Sequence, residues 1–283
     1  MRVTLFGASG LLGHDLVQQL RNEQVTALSS KDADLRDRDR VRDVIHDSRP
    51  DWVILAAAYT DVDGCESNRD LAFAVNCEGA INVAEAVREA GSRLLFLSTD
   101  YVFDGSKRLP YQPSDTRNPT SVYGESKARA EERLLEILPE VCIARTSWLF
   151  GPGGKCFPAT ILKLASTRSE ISVVNDQRGS PTFTRDLASA LVELCRADAR
   201  GIVHVTNSGE CTWYEFASEI VRASGLPTKV KPVTTAEFPR PARRPAYSVL
   251  SLDSLHAYNV HLPDWQDALH RYLASAPDGS VVP

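Results

Sequence analysis

The sequence lacks any long run of charge of one sign. Its 283 residues carry a formal net charge of −5, and the arginines between residues 36 and 42 alternate with aspartates. Proteins that bind nucleic acids usually cluster basic residues on one face or along one segment. We therefore expect no nucleic acid polymer as a partner of this chain.

Long apolar runs and a targeting leader are also missing. The longest strongly apolar run, residues 52–58, is far shorter than the roughly 20 residues that a membrane-spanning helix needs. The chain passes directly into an apolar, strand-like segment, residues 3–6, without a basic and apolar leader before it. We expect a soluble, cytoplasmic protein with no membrane partner.

The six cysteines show neither the CxxC spacing of metal and redox sites nor the density of a disulfide-stapled secreted domain. They stand at positions 65, 77, 142, 156, 195 and 211. We expect reduced, buried thiols at all six positions.

What the sequence does contain, near its amino end, is three evenly spaced glycines. Gly7, Gly10 and Gly13 lie between the apolar residues 3–6 and a helical pattern of leucine and valine that continues to Leu20. Glycines in such a unit let the backbone approach a pyrophosphate, which the N–H groups at the helix start bind. The order GxxGxxG resembles the fingerprint of short-chain and extended dehydrogenases/reductases; the alternative is a merely tight turn.

The end of the second predicted strand, residues 25–29, favours NADP(H) over NAD(H). An acidic residue at this point would bind the ribose 2′-hydroxyl of NAD, but the strand ends in Ser-Ser-Lys, residues 29–31. Lys31 would attract a 2′-phosphate, although a solvated loop lysine is the alternative. Asp34 and Leu35, slightly further on, are candidates to flank the adenine.

Apolar runs and helical patterns alternate through the first 150 residues. Residues 51–57, 94–98 and 141–145 are predicted strands, and residues 69–90 are a predicted helix. This alternation is typical of a doubly wound parallel sheet, for which a hydrophobic content of 43% supplies the core. We expect an α/β, Rossmann-like fold.

Two predicted strands end in residues suited to a ligand site, because ligands bind at the carboxyl ends of open parallel sheets. Three alanines, residues 56–58, leave room for a flat cofactor, with plain close packing as the alternative. Ser98, Thr99 and Asp100 end the next strand. The Thr99 hydroxyl can donate to a substrate carbonyl oxygen, although capping roles are common for threonine.

Tyr123 and Lys127 stand four residues apart and would share one face of a helix. A phenol has a pKa of about 10 and exchanges its proton at neutral pH only when a nearby positive charge stabilises the phenolate. Our hypothesis is that Lys127 supplies this charge. The pair then predicts an acid with a cation beneath it.

The sequence changes in character after residue 150, where a loop of glycine and proline, residues 151–154, precedes a proline-richer region. Residues 186–196 and 202–206 are predicted to return to the sheet as a helix and a strand. We predict two domains. Residues 1–150 and about 186–208 form a Rossmann domain, and residues 151–185 and about 209–283 form a smaller, discontinuous C-terminal substrate lobe. Residues 276–283 are expected to be frayed.

Seven stretches of the sequence resemble those of dTDP-4-dehydrorhamnose reductases, extended short-chain reductases of nucleotide-sugar metabolism. The resemblance covers nearly the whole chain. The more specific stretches include STDYVF, NDQ and RPAYS at residues 98–103, 175–177 and 244–248. The others are GASGLLG, AAAYT, YGESK and RTSW at residues 7–13, 56–60, 123–127 and 145–148.

The resemblance implies reduction of the 4-keto group of dTDP-4-dehydro-6-deoxy-L-mannose by NADPH or NADH, giving dTDP-L-rhamnose. It implies a catalytic trio of Thr99, Tyr123 and Lys127, with Tyr123 as general acid. The implied cofactor-binding residues are Gly7, Gly10, Leu11, Leu12, Gly13, Asp34, Leu35, Ala57, Ala58, Tyr59, Thr60, Tyr123 and Lys127. The implied substrate-binding residues are Thr99, Asp100, Trp148, Arg244 and Ser248. For Trp148, a core aromatic is the alternative.

Some members of this family form magnesium-bridged dimers through glutamates. Asp15 is a candidate for one of these positions, whereas Arg185 falls at another. A cation in place of a ligand argues against a bridging metal. We expect no metal site, and either a monomer or a homodimer.

Two other functions remain open. A nucleotide-sugar epimerase or dehydratase uses a similar fold but keeps NAD bound, and the missing acidic residue after the second strand disfavours it. A non-catalytic regulatory subunit, similar to the beta subunit of methionine adenosyltransferase, would resemble the same family. The intact Thr99, Tyr123 and Lys127 favour an enzyme.

Overall fold

A computed structural model describes residues 1–275 of the chain; the expected fraying of residues 276–283 lies outside the described residues. The centre of the fold is a sheet of six parallel strands, numbered here along the whole chain. They are β1 (Arg2–Phe6), β2 (Gln24–Leu28), β3 (Trp52–Leu55), β4 (Arg93–Thr99), β5 (Cys142–Thr146) and β10 (Gly201–His204). Their spatial order is β10-β5-β4-β3-β1-β2.

Helices cover both faces of this sheet. On one face α1 (Leu11–Gln19) packs against α8 (Thr184–Arg196), and their leucines meet alternate residues of the strands, such as Leu5 and Ile54. The other face is covered by α2 (Arg38–Ser48), α5 (Gly79–Ala90) and α6 (Val122–Ile137). Strands buried on both faces are near-continuously apolar, as all of β3 is. The predicted α/β, Rossmann-like fold is confirmed.

The predicted helix over residues 69–90 is interrupted. After α3 (Val62–Ser67) and α4 (Arg69–Phe73), residues 74–78 form a π-helical turn that continues into α5. The turn holds the buried Asn76, whose side chain accepts a hydrogen bond of 2.7 Å from the backbone of Tyr59 and donates one of 3.0 Å to Ser126. Through these two hydrogen bonds the π-turn connects the loop after β3 to α6, the helix that carries Tyr123. Such turns are common at functional sites.

The remaining strands form three small two-stranded pairs outside the central sheet. They are β6 (Leu149–Phe150) with β9 (Thr182–Phe183), β7 (Glu170–Val174) with β12 (Lys229–Val233), and β8 (Arg178–Gly179) with β11 (Cys211–Thr212). The helices α7 (Phe157–Ala165), α9 (Trp213–Ala223) and α11 (Trp265–Ala274) build a third apolar core with these strands, while α10 (Asp253–His256) packs on β10. The exact allotment of residues to two domains stays a prediction.

All six cysteines are free and buried, as predicted. Within residues 1–275, none of the helices combines the length and the apolar character that crossing a membrane would require.

Candidate active site

The cleft of the sheet lies between β1 and β3, where the order in which strands are added reverses: β2 was added on one side of β1 and β3 on the other. Ligands of open parallel sheets bind outside the carboxyl ends at such a point. Gly7, directly after β1, has φ +93°, and a Cβ on it would lie 2.6 Å from the backbone nitrogen of Ala57. A Cβ on Gly13 would lie 2.1 Å from the carbonyl oxygen of Gly7. Side chains at either position would therefore force the loop open.

The amino end of α1 is suited to an anion. Gly10 precedes the helix without a capping side chain, and no acidic residue lies in the first turn. The first N–H groups of a helix have no partner within it, and the helix dipole adds partial positive charge there. This glycine-lined helix start therefore fits the pyrophosphate of a dinucleotide.

A cavity of about 550 Å³ opens at this edge of the sheet. Thirteen of the site residues predicted from the sequence line it: Gly7, Gly10, Leu11, Leu12, Gly13, Ala57, Ala58, Thr60, Thr99, Asp100, Tyr123, Lys127 and Trp148. The glycine loop, the alanine run and the residues of the predicted catalytic trio thus meet around one space, although they come from distant parts of the chain.

Three predicted cofactor residues do not line this cavity. The carboxylate of Asp34 is paired with Arg36, with Oδ2 2.6 Å from Nη2, and it is partly exposed. Leu35 is buried in the core, where a Cβ on Gly79 would lie 2.6 Å from its Cβ. Tyr59 is held through its backbone by the π-turn described above. A role for these residues in binding the adenosine half stays a prediction.

Two predicted substrate residues also lie outside the cavity lining, next to residues that belong to it. The guanidinium of Arg244 is bound to the carboxylate of Asp63, with Nη1 2.8 Å from Oδ1, and Arg240 binds the same carboxylate. The pKa of Asp63 is lowered accordingly, chiefly by hydrogen bonding from Arg244. Ser248 is buried, and hydrogen bonding from its hydroxyl acts to lower the pKa of Asp100.

Tyr123 lies in the first turn of α6, which begins at a cap formed by Ser121, whose Oγ accepts a hydrogen bond of 3.2 Å from the backbone of Gly124. Burial raises the pKa of Tyr123 above its ordinary value, and hydrogen bonding with Thr99 opposes the rise. Thr99 ends β4, and its hydroxyl donates to Oδ1 of Asp100 over 3.1 Å. The phenol is therefore protonated at neutral pH and lies against the threonine hydroxyl.

Lys127 follows one helical turn later and is buried, with 2% of its surface exposed. Its ammonium lies 3.9 Å from the ring centroid of Phe96. Burial lowers the pKa of Lys127 to about 7, while the charge of Glu131 opposes that shift. The hypothesis that Lys127 lowers the pKa of Tyr123 finds no support in this arrangement, because the pKa of Tyr123 is raised and the ammonium contacts Phe96 instead.

Glu131, a further turn along α6, is fully buried and carries several partners. Its Oε2 lies 2.6 Å from Nη2 of Arg145 and 3.2 Å from Nη1 of Arg117, and its Oε1 accepts a hydrogen bond of 2.6 Å from Ser98. Burial acts to raise the pKa of Glu131, but hydrogen bonds and charge from Arg145, with Ser98 and Arg117, hold it below its ordinary value. Glu131 is a charged carboxylate inside the protein.

Trp148 packs against the third apolar core and also forms part of the cavity wall. Its backbone has φ +48°, and its ring stacks on that of Trp213 with centroids 3.5 Å apart. A Cβ on Gly179 would lie 2.6 Å from the Trp148 ring. The indole is thus held flat between Gly179 and Trp213.

Further residues that the sequence did not single out as site residues line the same space: Lys155, Trp213 and Tyr101. Ser30, from the Ser-Ser-Lys segment after β2, lines it as well. Lys155 directly follows the loop of glycine and proline, residues 151–154, whose composition indicates only a change in the character of the sequence. Trp213 follows Thr212, which forms a capping box with Glu215, and the pattern Thr-x-x-Glu was a visible signal for a helix start.

Asp15, the candidate metal position, is engaged with protein groups. Its Oδ2 accepts a hydrogen bond of 2.6 Å from Thr184, and its Oδ1 lies 3.7 Å from Nε of Arg185. Among residues 1–275 there is no group of three or more histidine, cysteine, aspartate or glutamate residues that could hold a metal ion.

Comparison with known proteins relates this geometry to a family. The family model for the RmlD substrate binding domain matches residues 1–277. The chain is 42% identical over 274 residues to the spore coat polysaccharide biosynthesis protein SpsK of Bacillus subtilis (strain 168), covering 96% of each. It is 39% identical over 286 residues to a dTDP-4-dehydrorhamnose reductase of Sinorhizobium fredii (strain NBRC 101917 / NGR234), covering 96% of this chain and 97% of that relative.

A crystal structure gives the same relationship in three dimensions. The dTDP-4-dehydrorhamnose reductase of Bacillus anthracis str. Ames, in complex with NADP, matches with a TM-score of 0.94 at 38% identity. The match covers 97% of this chain and 99% of that one.

Proposed function

We propose, because the chain belongs to the RmlD substrate-binding-domain family, that it reduces the 4-keto group of dTDP-4-dehydro-6-deoxy-L-mannose to give dTDP-L-rhamnose, with NADPH or NADH as reductant. The observation that carries the proposal is that Thr99 and Tyr123 line one cavity with the glycine loop after β1. The name of the Sinorhizobium fredii relative supports the substrate, and the NADP bound to the Bacillus anthracis enzyme supports NADPH.

The residues around the cleft fit a dinucleotide. Gly7 and Gly13 allow the close backbone approach that a pyrophosphate needs, and the amino end of α1 offers N–H groups with no acidic residue in its first turn. Lys155 adds a cation at the cavity wall. When bound, a reduced nicotinamide would supply the hydride.

The protein's own chemical task is to manage charge on the C4 oxygen of the substrate. Tyr123 donates a proton to that oxygen, and its raised pKa keeps the phenol protonated before the reaction. Thr99 donates a second hydrogen bond to the same oxygen. Lys127 lies buried one helical turn behind Tyr123, and the family resemblance implies that it belongs to the catalytic trio.

Substrate recognition is proposed to involve both sides of the cavity. The indole of Trp148 offers a flat apolar surface, braced by Trp213, against which a sugar ring can pack. Asp100, Arg244 and Ser248 retain the substrate contacts that the family resemblance implies. The predicted substrate lobe contributes Lys155 and Trp213 to this wall.

A direct assay tests the proposal. Purified protein, NADPH and the 4-keto sugar nucleotide are mixed, the reduced nicotinamide absorbance is followed, and the product is identified by NMR. We expect stoichiometric loss of NADPH and a product with the L-rhamno configuration. An epimerase would rearrange the sugar nucleotide without net consumption of NADPH, and a regulatory subunit would bind without turnover; either result would contradict the proposal.

A further inference from the structure

Asp100 is a buried carboxyl without a cationic partner. It lies directly after β4 in a 3₁₀ turn, residues 100–102, and 2% of its surface is exposed. Its Oδ1 accepts the hydrogen bond from Thr99, while its Oδ2 is buried with no hydrogen-bond partner among the described residues. An ionised carboxylate enclosed in this way costs far more free energy than a protonated one.

The cations close to this turn are engaged elsewhere. Arg244 donates to Asp63 and to the carbonyl oxygen of Ala242, and the ammonium of Lys127 lies over Phe96. Neither forms a salt bridge with Asp100 in the part of the chain that the structure describes. The groups around the Asp100 carboxyl are therefore hydroxyls and phenols rather than cations.

The hydroxyl and phenol groups around the Asp100 carboxyl come from three parts of the chain. Thr99 and Tyr101 come from the strand end and turn of Asp100 itself, Tyr123 comes from α6, and Ser248 comes from the segment after β12. The charged groups nearby are Asp63 on α3 and Arg244, which act in opposite directions on the pKa of Tyr101. A further titratable group, the thiol of Cys65, faces Tyr123. Burial raises the pKa of Asp100 to about 7, against hydrogen bonds from Ser248 and Thr99.

We propose, on the basis of the function proposed above, that Asp100 holds the proton that restores Tyr123 after each turnover and delivers it through the hydroxyl of Thr99. The proton that Tyr123 gives to the substrate oxygen leaves a phenolate. The Thr99 hydroxyl then passes its hydrogen to that phenolate while the Asp100 carboxyl passes its own to the Thr99 oxygen. Asp100 ends as a carboxylate and is protonated again from solvent when the product leaves.

The contact between Thr99 and Asp100 is short enough for this relay, since Oγ1 and Oδ1 lie 3.1 Å apart. Opposite an ionised Asp100, which can only accept, the hydroxyl of Thr99 must donate in this contact. A protonated Asp100 becomes the donor in this contact and frees the hydrogen of Thr99 for the substrate oxygen or for Tyr123. Only the protonated form of Asp100 therefore lets Thr99 act as a donor in the reaction.

The first experiment measures the proton on Asp100 in the protein alone. Infrared difference spectra over a pH titration are recorded for the wild type, Asp100→Asn and Ser248→Ala. We expect one carboxylic acid carbonyl band to persist to about pH 7, to be absent in D100N, and to persist to higher pH in S248A, which loses a donor to the carboxylate. A wild-type protein without this band would overturn the proposal.

The second experiment measures the pH dependence of kcat with NADPH and the sugar nucleotide. We expect wild-type kcat to fall as the pH rises above about 7 and the S248A profile to be shifted to higher pH. D100N should lose about 10²-fold in kcat at pH 6, the lower end of the contribution of a positioned proton donor, and should lose this basic limb. Circular dichroism and NADPH binding verify that D100N is folded.

The two experiments separate the relay from the proposed function. If the wild type turns over and D100N keeps its kcat and its pH profile, the relay is wrong and the reductase proposal stands. If D100N changes only KM, Asp100 contacts the substrate without moving a proton, and the relay is again wrong. If the wild type does not oxidise NADPH, the reductase proposal fails and the relay fails with it.

Discussion

Asp100 and Glu131 are both buried acids near the carboxyl edge of the sheet, yet their surroundings are opposite. Glu131 faces two arginines and a serine hydroxyl, and its pKa is lowered. Asp100 faces hydroxyls and backbone N–H groups but no cation among the described residues, and burial raises its pKa to about 7. The protein therefore uses one buried carboxyl as a fixed charge that holds α6 to β5, and keeps the other able to change its protonation state beside the cavity.

This comparison assigns chemistry to the surroundings of Asp100, called here the chemical region, and stability to the surroundings of Glu131, called the structural region. A buried ion pair contributes order rather than a large net free energy, but breaking it is costly. A neutral buried acid with hydroxyl partners costs little to keep and can exchange a proton near neutral pH. The following predictions test that division, in order of decreasing effect.

The largest effect is expected for Tyr123→Phe, which removes the proposed proton donor beside Asp100. We expect kcat to fall about 10²–10⁴-fold, the usual contribution of a general acid, while the free energy of unfolding and the affinity for NADPH barely change. Steady-state kinetics, urea unfolding and cofactor fluorescence measure the three quantities. Unchanged turnover would remove Tyr123 from the mechanism.

The next effect is expected for Glu131→Gln, which removes the fixed charge. Arg145, with 1% of its side chain exposed, would be left buried without a full counter-charge, so we expect a loss of about 3–5 kcal/mol in the free energy of unfolding. Urea unfolding at pH 7 measures the loss. The control is Glu132→Gln on the same helix, where the side chain is 47% exposed and the change should stay within about 0.5 kcal/mol.

If E131Q cost no more than E132Q, the buried ion pair would contribute nothing specific, and the contrast between the two carboxyls would be lost. If E131Q instead kept its stability but lost turnover, the charge of Glu131 would serve the reaction, through its effect on the neighbouring Lys127, rather than the stability of the fold.

Sequence reasoning recovered the chemical region better than the structural one. Gly7, Thr99 and Tyr123 sit at strand ends and helix starts, where local spacing and strand direction already predict convergence. The pairing of Glu131 with Arg145 joins α6 to β5 through a buried contact. In the sequence both look like ordinary surface charges, because such residues are almost never fully buried unless paired.

The same limit explains the other omissions. Trp213 and Lys155 reach the cavity only through long-range packing of the region beyond residue 150, for which the sequence offered a change in composition but no register. The π-turn around Asn76 could not be distinguished from a regular helix, since its apolar pattern continues across the extra residue. Leu35 is a candidate to flank the adenine because it follows the second predicted strand, whereas its burial against Gly79 depends on how α2 and α5 pack.

The two carboxyls should also give stability opposite dependences on pH. The folded pKa of Asp100 is about 7, whereas an unfolded aspartate titrates near 4. Between these values only the folded chain keeps the proton, so Asp100 lowers the free energy of unfolding with rising pH, by at most about 1.4 kcal/mol per pH unit. For Glu131 the folded pKa is lowered, so its contribution is present above the unfolded pKa and is lost as the pH falls through the folded value.

D100N should therefore gain stability relative to the wild type as the pH rises from about 4 to 7, and the difference should be constant above that range. Urea unfolding at pH 4, 5, 6, 7 and 8 measures this slope. A difference that is flat across the whole range would mean that Asp100 titrates normally in the folded protein and would remove the distinction between the two acids.

The smallest effect is expected for removal of the serine hydroxyl next to each carboxyl. Ser98 donates to the charged Glu131 over 2.6 Å, and losing a hydrogen bond to a charged group costs about 1.5–3 kcal/mol. Ser248 faces Asp100, which is largely neutral at pH 6, and even a formed hydrogen bond to a neutral group contributes only about 0.5–1.5 kcal/mol. Urea unfolding at pH 6 should therefore rank Ser98→Ala as more destabilising than Ser248→Ala. The reverse ranking would mean that Asp100 carries the charge and that Glu131 does not depend on its hydroxyl partner.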